Sequence, residues 1–106
     1  ELLPKILREK RLIAKMYQCW GKENGMQFIE EPPCTKSNYW LNAILLKNKQ
    51  QRDEFLKITN NNGIMTRPIW QQINELKMYE KCQLTNLQNT KFLKERVVNV
   101  PSSVVL

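Results

Sequence analysis

Apolar residues recur at three- and four-residue steps over the first twenty positions: Leu3, Ile6, Leu7, Ile13, Met16, Tyr17 and Trp20. That spacing puts them on one side of a helix, and Pro4 stands near the start, where a first helical turn tolerates its missing N–H. The pattern predicts a helix over about 2–20, ending before Gly21. Residues 21–36 hold Gly21, Gly25, Pro32 and Pro33 and read as a loop, within which 26–29 is apolar enough for a short strand ahead of the proline pair.

The run 37–46 (SNYWLNAILL) is aromatic and aliphatic between polar flanks, as in a largely buried strand that could pair with 26–29 as a hairpin. Residues 49–62 carry Phe55, Leu56 and Ile58 among charges and run into Asn60-Asn61-Asn62-Gly63, so a second helix is expected to close at Gly63. Then 64–70 reads as an extended segment whose Pro68 cannot donate to a ladder, which makes it an edge strand or one that ends at Arg67. Residues 71–82 hold one or two short helical turns. Thr85 is positioned to cap a helix over 86–95 with Leu87, Phe92 and Leu93 as its buried stripe, and 96–101 is a last apolar strand ended by Pro101. The expected fold class is α+β: a small antiparallel or mixed sheet of three to four strands packed by helices. One domain covers 1–106, with the helix at 2–20, the loop or hairpin at 21–36 and the sheet-and-helix body at 37–106.

Composition narrows the classes. The chain has 106 residues, 42% hydrophobic and 25% charged, with a mean hydropathy of −0.56. No stretch approaches the roughly 18 apolar residues of a spanning helix, so no membrane partner is expected. With no histidine at all, Ser-His-Asp and Cys-His catalysis and HExxH zinc sites are ruled out for this stretch of chain. Cys19, Cys34 and Cys82 are widely spaced without a CxxC pair, so reduced thiols, a cytoplasmic location and no metal site are expected. The net charge is +7. Its one cluster, Lys5, Arg8, Lys10, Arg11 and Lys15, alternates with apolar residues and reads as a solvated helix face. The chain opens on Glu1 rather than Met, which suggests a piece of a longer polypeptide.

Several strings in order carry a resemblance: Ser37-Asn38-Tyr39-Trp40-Leu41-Asn42, Arg52-Asp53 with Phe55-Leu56, Asn62-Gly63-Ile64-Met65-Thr66-Arg67-Pro68-Ile69-Trp70, Lys77-Met78-Tyr79 and Val98-Asn99-Val100-Pro101-Ser102-Ser103. Together they span nearly the whole chain. The succession resembles the C-terminal small domain of the DegT-like nucleotide-sugar aminotransferases, pyridoxal-phosphate enzymes of the aspartate aminotransferase fold superfamily. The GI-x-TRP-x-W string is most similar to the branch making amino sugars of the legionaminic-acid type.

The resemblance implies a full enzyme three to four times longer, in which a large N-terminal domain holds pyridoxal phosphate through a Schiff-base lysine and two subunits form a homodimer. The reaction would carry an amino group, from glutamate, onto a keto-sugar nucleotide. No catalytic, cofactor-binding or metal-ligating residue is assigned to this chain, and the piece alone should be catalytically inactive. The resemblance places substrate contacts after Gly63. Arg67 can clamp a diphosphate through paired donors, and Trp70 can stack on a sugar or base ring or cap the core. Asn38 and Tyr39 open the long strand, where they face the cleft or pack its end, while Asn99, Pro101, Ser102 and Ser103 are read as structural. A competing reading is a small basic module for RNA or another polyanion, motivated by the charge but lacking any RNP, GXXG or zinc-knuckle signature.

Overall fold

The computed structural model describes residues 2–105. Its elements run α1 (Leu3–Glu23), β1 (Gln27–Phe28), β2 (Asn42–Leu45), α2 (Lys49–Asn61), β3 (Arg67–Pro68), two single 3-10 turns (Ile73–Glu75 and Lys77–Tyr79), α3 (Gln88–Lys94) and β4 (Val97–Val100). The four strands form one sheet in the order β1-β2-β4-β3, antiparallel throughout. The fold is therefore α+β, with the expected pairing of β1 and β2 and with β3 as the expected proline-bearing edge.

Alternation in the two inner strands sets the layers. Ile44 and Leu46 on β2 and its end, with Val98 and Val100 on β4, are buried and join Phe28 of β1 in the core. Tyr17 of α1 and Phe55 and Leu56 of α2 pack onto that same cluster. Both long helices thus serve one face of the sheet. Residues of the intervening parity, among them Ala43 and Asn99, are cross-strand partners and point to the other face.

Helix ends follow their caps. The Asn48 side chain accepts from the Gln51 N–H at 2.9 Å to open α2. At its end Gly63 takes φ +76°, and the Ile64 and Gly63 N–H groups return to the Thr59 and Asn60 carbonyls at 2.9 and 3.1 Å, a Schellman closure. α1 closes in the same way one glycine later than expected: Gly25, at φ +66°, is the left-handed residue, and the Met26 N–H reaches back to the Gly21 carbonyl at 2.8 Å. Gly21 lies inside the helix, so the expected end before it is corrected to Glu23. What Gly21 supplies is space rather than a stop.

Three further expectations are corrected. The strand foreseen over 37–46 is ordered as a strand only from Asn42, because side chains capture the backbone before it: the Tyr39 N–H donates to Ser37 Oγ and the Trp40 N–H to Asn38 Oδ1, both at 3.0 Å. The last helix begins at Gln88, whose N–H is taken by Asn86 Oδ1 at 2.9 Å, and Thr85 caps nothing. Its supposed buried stripe is partly open, with Phe92 46% and Leu93 41% exposed; Phe92 instead lies under the Arg96 guanidinium, 4.0 Å from the ring centre. Nor is the basic cluster of α1 wholly solvated. Arg11 Nε donates to the Ser37 carbonyl at 3.1 Å, and Lys10 Nζ donates to the carbonyls of Trp40 and Ser102, fastening the loop and the C-terminal segment to the helix.

Candidate functional site

Two regions of the surface invite a ligand or a partner. The first is a cleft of about 620 Å³ between α1 and α2, walled by Met16 and Trp20, Phe55 and Ile64, with Phe28 and Ile44 as its floor. Its α1 wall is the end of the apolar stripe read in the sequence, Ile13, Met16, Tyr17 and Trp20, which is wider than the sheet beneath it covers. Met16 is 71% exposed and Trp20 and Ile64 about half. No charged side chain lines the cleft. Such a lining can exclude water and bind apolar side chains, and its hydroxyls, those of Tyr17, Thr59 and Thr66, are bonded within the fold.

The second region is the β3 edge with the segment after it. Thr66, fully buried, fixes the start of this edge: its hydroxyl lies 2.6 Å from that of Thr59 and receives the Asn60 amide at 3.0 Å. These contacts tie the end of α2 to β3. Arg67, next in line, is exposed; its Nη1 donates to the Thr66 carbonyl at 3.2 Å, with Asn60 Oδ1 at 3.4 Å. Nε and Nη2 have no partner among the described residues, so a largely positioned guanidinium keeps donors for an anion. Trp70, three residues on, is 69% exposed and does not cap the core.

The other two expected site residues serve the fold. Asn38 spends its Oδ1 on the Trp40 N–H. Tyr39 is half-buried at φ +45°, and its hydroxyl oxygen accepts from the Glu31 N–H at 3.2 Å and from Gln18 Nε2 at 3.3 Å. A non-glycine residue in the left-handed region costs about 1–2 kcal/mol, and these contacts hold it there. Because β4 lies between β2 and β3, the loop that leads into β2 is not the strand neighbour of Arg67. Asn38 and Tyr39 thus lie in the loop before β2, and Arg67 and Trp70 on and just after β3, with β4 between the two strands.

Cofactor chemistry of the Schiff-base kind needs a desolvated lysine beside a carboxylate and a phosphate cup. Neither lysine nor aspartate lines the large cleft, and Lys10, the lysine most engaged with the fold, is held by backbone carbonyls. The described residues do not fit pyridoxal phosphate. Among the described residues no three His, Cys, Asp or Glu side chains converge as a metal site, and no helix is long and apolar enough to cross a membrane.

A four-stranded antiparallel sheet covered on one face by two long helices is a layered α+β architecture. The profile of the DegT/DnrJ/EryC1/StrS aminotransferase family matches residues 1–106, and the chain belongs to that family. A GDP-perosamine synthase of Vibrio cholerae is 31% identical over 105 residues, which are 96% of this chain and 29% of that protein. The solved structure of the aminotransferase TlmJ from Streptoalloteichus hindustanus superposes with a TM-score of 0.82 at 18% identity, covering 95% of this chain and 27% of TlmJ; at that identity the likeness speaks for the fold. The chain thus spans less than a third of the length of either relative.

Proposed function

We propose that this chain is the substrate-side, C-terminal domain of a pyridoxal-phosphate-dependent enzyme that transfers an amino group, from glutamate, onto a keto-sugar nucleotide in the cytoplasm. The observation that carries this reading is the family match along all 106 residues combined with a span of 29% of a relative named for a GDP-linked product. When bound elsewhere in the enzyme, the cofactor supplies the electron sink for moving the amino group. The part of this chain is to present Arg67 to the phosphates of the nucleotide sugar, with Trp70 beside it as an aromatic surface.

The apolar cleft supports the same reading. A domain that leaves Met16, Trp20 and Ile64 open over its own core floor lacks a packing partner, and the remaining two-thirds or more of an enzyme of the relatives' length is the occupant we infer. A second subunit completes the assembly as a homodimer, and by itself the 106-residue piece is inactive. The string from Gly63 to Trp70 favours an amino sugar of the legionaminic-acid type as product. A polyanion-binding role gains nothing from the structure, since Lys10 and Arg11 of the basic cluster are occupied by backbone carbonyls.

The test is an absorption spectrum of the longer polypeptide containing this chain, with pyridoxal phosphate added and then borohydride to trap a lysine adduct. A visible band fixed to one lysine outside residues 1–106, with amino transfer from glutamate to a keto-sugar nucleotide, is the expected result. In that enzyme Arg67→Ala should raise KM for the nucleotide sugar about tenfold or more, by loss of a charge-assisted contact. No adduct under any condition would sink the proposal.

A further inference from the structure

The floor of the apolar cleft takes one residue from each of three adjacent strands, Phe28 of β1, Ile44 of β2 and Val100 of β4. Paired strands lie about 4.8 Å apart, so three of them span about 10 Å, and an α-helix with its side chains is about 10–12 Å across. α1 and α2 wall this floor without closing over it: Met16 is 71% exposed on one side, and Ile64, just beyond α2, 49% on the other. The 620 Å³ left open is the share of about twenty liquid waters, whereas a packed interior keeps few voids larger than one.

The chemistry of the lining selects the occupant. None of the lining residues is charged. The Tyr17 hydroxyl is bonded to the Pro101 carbonyl, and those of Thr59 and Thr66 to each other. An extended segment laid here would bury backbone N–H and C=O groups without partners. The free edges of the sheet, where such a segment could pair, are β1 and β3, and the cleft opens onto a face. A helix bonds its own backbone internally and meets the walls with side chains alone. An apolar small molecule would lack the few convergent polar groups that orient a ligand in a pocket of this size.

We propose that the cleft seats one α-helix of the same subunit, from the polypeptide outside residues 1–106, laid between α1 and α2 as a third helix on the sheet. Its inward face is uncharged, with apolar residues at three- and four-residue steps. The source is argued from length: the chain spans 29% of the GDP-perosamine synthase it matches and 27% of TlmJ, so most of an enzyme of that size lies outside it. A segment of the same polypeptide reaches the cleft already tethered, whereas a second subunit loses translational and rotational freedom on docking. Met16 suits such a contact, since its unbranched side chain adapts to the surface it meets. This inference rests on the reading of the chain as one domain of a longer enzyme, and it names what the cleft receives.

The experiment uses the longer polypeptide containing this chain, without cofactor or substrate. Peroxide oxidation of Met16, followed by mass spectrometry, is compared between the folded and the urea-unfolded enzyme. A covered Met16 reacts about tenfold or more slowly when folded, and an open one keeps its unfolded rate. Photo-methionine in place of methionine then captures what Met16 touches, and Ile64→Met adds a second probe across the cleft. The expected result is protection of Met16, with both probes captured by one segment outside 1–106 in the same subunit, at positions about three, four or seven apart. A crosslink at twice the single-chain mass puts a second subunit in the cleft, positions two apart make the occupant an extended segment, and protection without capture means a small apolar molecule or a closed cleft. Each of these overturns the proposal, as does an unprotected Met16. Should Ile64→Met fail to fold, oxidation and the spacing of the positions captured by Met16 alone decide. A lysine adduct on an enzyme whose Met16 stays open removes this inference and leaves the aminotransferase reading, and a captured helix without an adduct does the reverse.

Discussion

Gly21 on α1 and Phe28 on β1 approach so closely that a methyl group at position 21 would stand 2.7 Å from the Phe28 ring and 2.6 Å from the Met26 carbonyl oxygen. The ring is held from the other sides by Tyr17, stacked at 5.1 Å, and Trp20, edge-on at 6.3 Å. Since one of the clashing atoms is backbone, a rotamer change cannot relieve it. Intrinsic helix preference favours Ala over Gly by about 1 kcal/mol, and overpacking opposes it with about 1–3 kcal/mol. Gly21→Ala should therefore lower stability in chemical denaturation despite improving the helix. A stabilised variant would show that β1 can move away from α1 at little cost.

The C-terminal segment is held by Ser102. Its buried hydroxyl accepts from the Asn42 N–H at 2.8 Å and from Asn42 Nδ2 at 3.1 Å, and donates to the Val100 carbonyl at 2.9 Å. Ser102→Ala removes the acceptor and leaves two buried donors unpaired, a loss of about 1–3 kcal/mol. Ser103→Ala next to it, exposed, should change stability by less than about 0.5 kcal/mol. Equal effects at the two positions would refute the network.

The elements legible in the sequence were those whose signal is local. The Asn62-Gly63 stop and Pro68 on an edge strand work through their own backbone chemistry, and both stand where expected. Gly21 was misread as a stop because its role is tertiary: nothing in the sequence around it announces that Phe28 will pack against it, while Gly25, four residues on, does the capping. The strand before Asn42 was drawn too long, taking in Asn38 and Tyr39. The Asx and Ser turns that shorten it are local, yet they compete with a strongly apolar run that reads as a strand. Arg67 was singled out by motif, and its place on the free edge of the sheet comes from the β3–β4 register.

Alkaline pH gives a separate handle on the α1 packing. The Tyr17 hydroxyl donates to the Pro101 carbonyl at 2.8 Å, and burial pushes its pKa above the usual tyrosine value. The unfolded chain therefore releases this proton first as pH rises. The contribution of Tyr17 is whole below about pH 10 and is lost as pH climbs through the higher folded-state value. Tyr17→Phe should cost about 1 kcal/mol near neutrality for the missing hydrogen bond and flatten the decline in stability between about pH 9 and pH 11. Urea denaturation across that range reads both effects, and an unchanged alkaline slope would locate the titrating group elsewhere.

The division between Arg67 and Tyr39 can be tested by asking which residue the fold needs. Arg67 is exposed and holds its place through one 3.2 Å contact and one 3.4 Å contact, so Arg67→Ala should shift stability by no more than about 0.5 kcal/mol. The same variant should abolish the response of the β3 edge to inorganic phosphate. Tyr39→Phe removes the acceptor used by Glu31 and Gln18 and should cost about 1 kcal/mol while leaving phosphate binding intact. Thermal unfolding and a phosphate titration on each variant give four readings, and the proposal requires them to cross. If Arg67→Ala destabilises the chain as much as Tyr39→Phe does, then the Thr66 and Asn60 contacts of the guanidinium matter to the fold, and Arg67 joins the scaffold rather than the site.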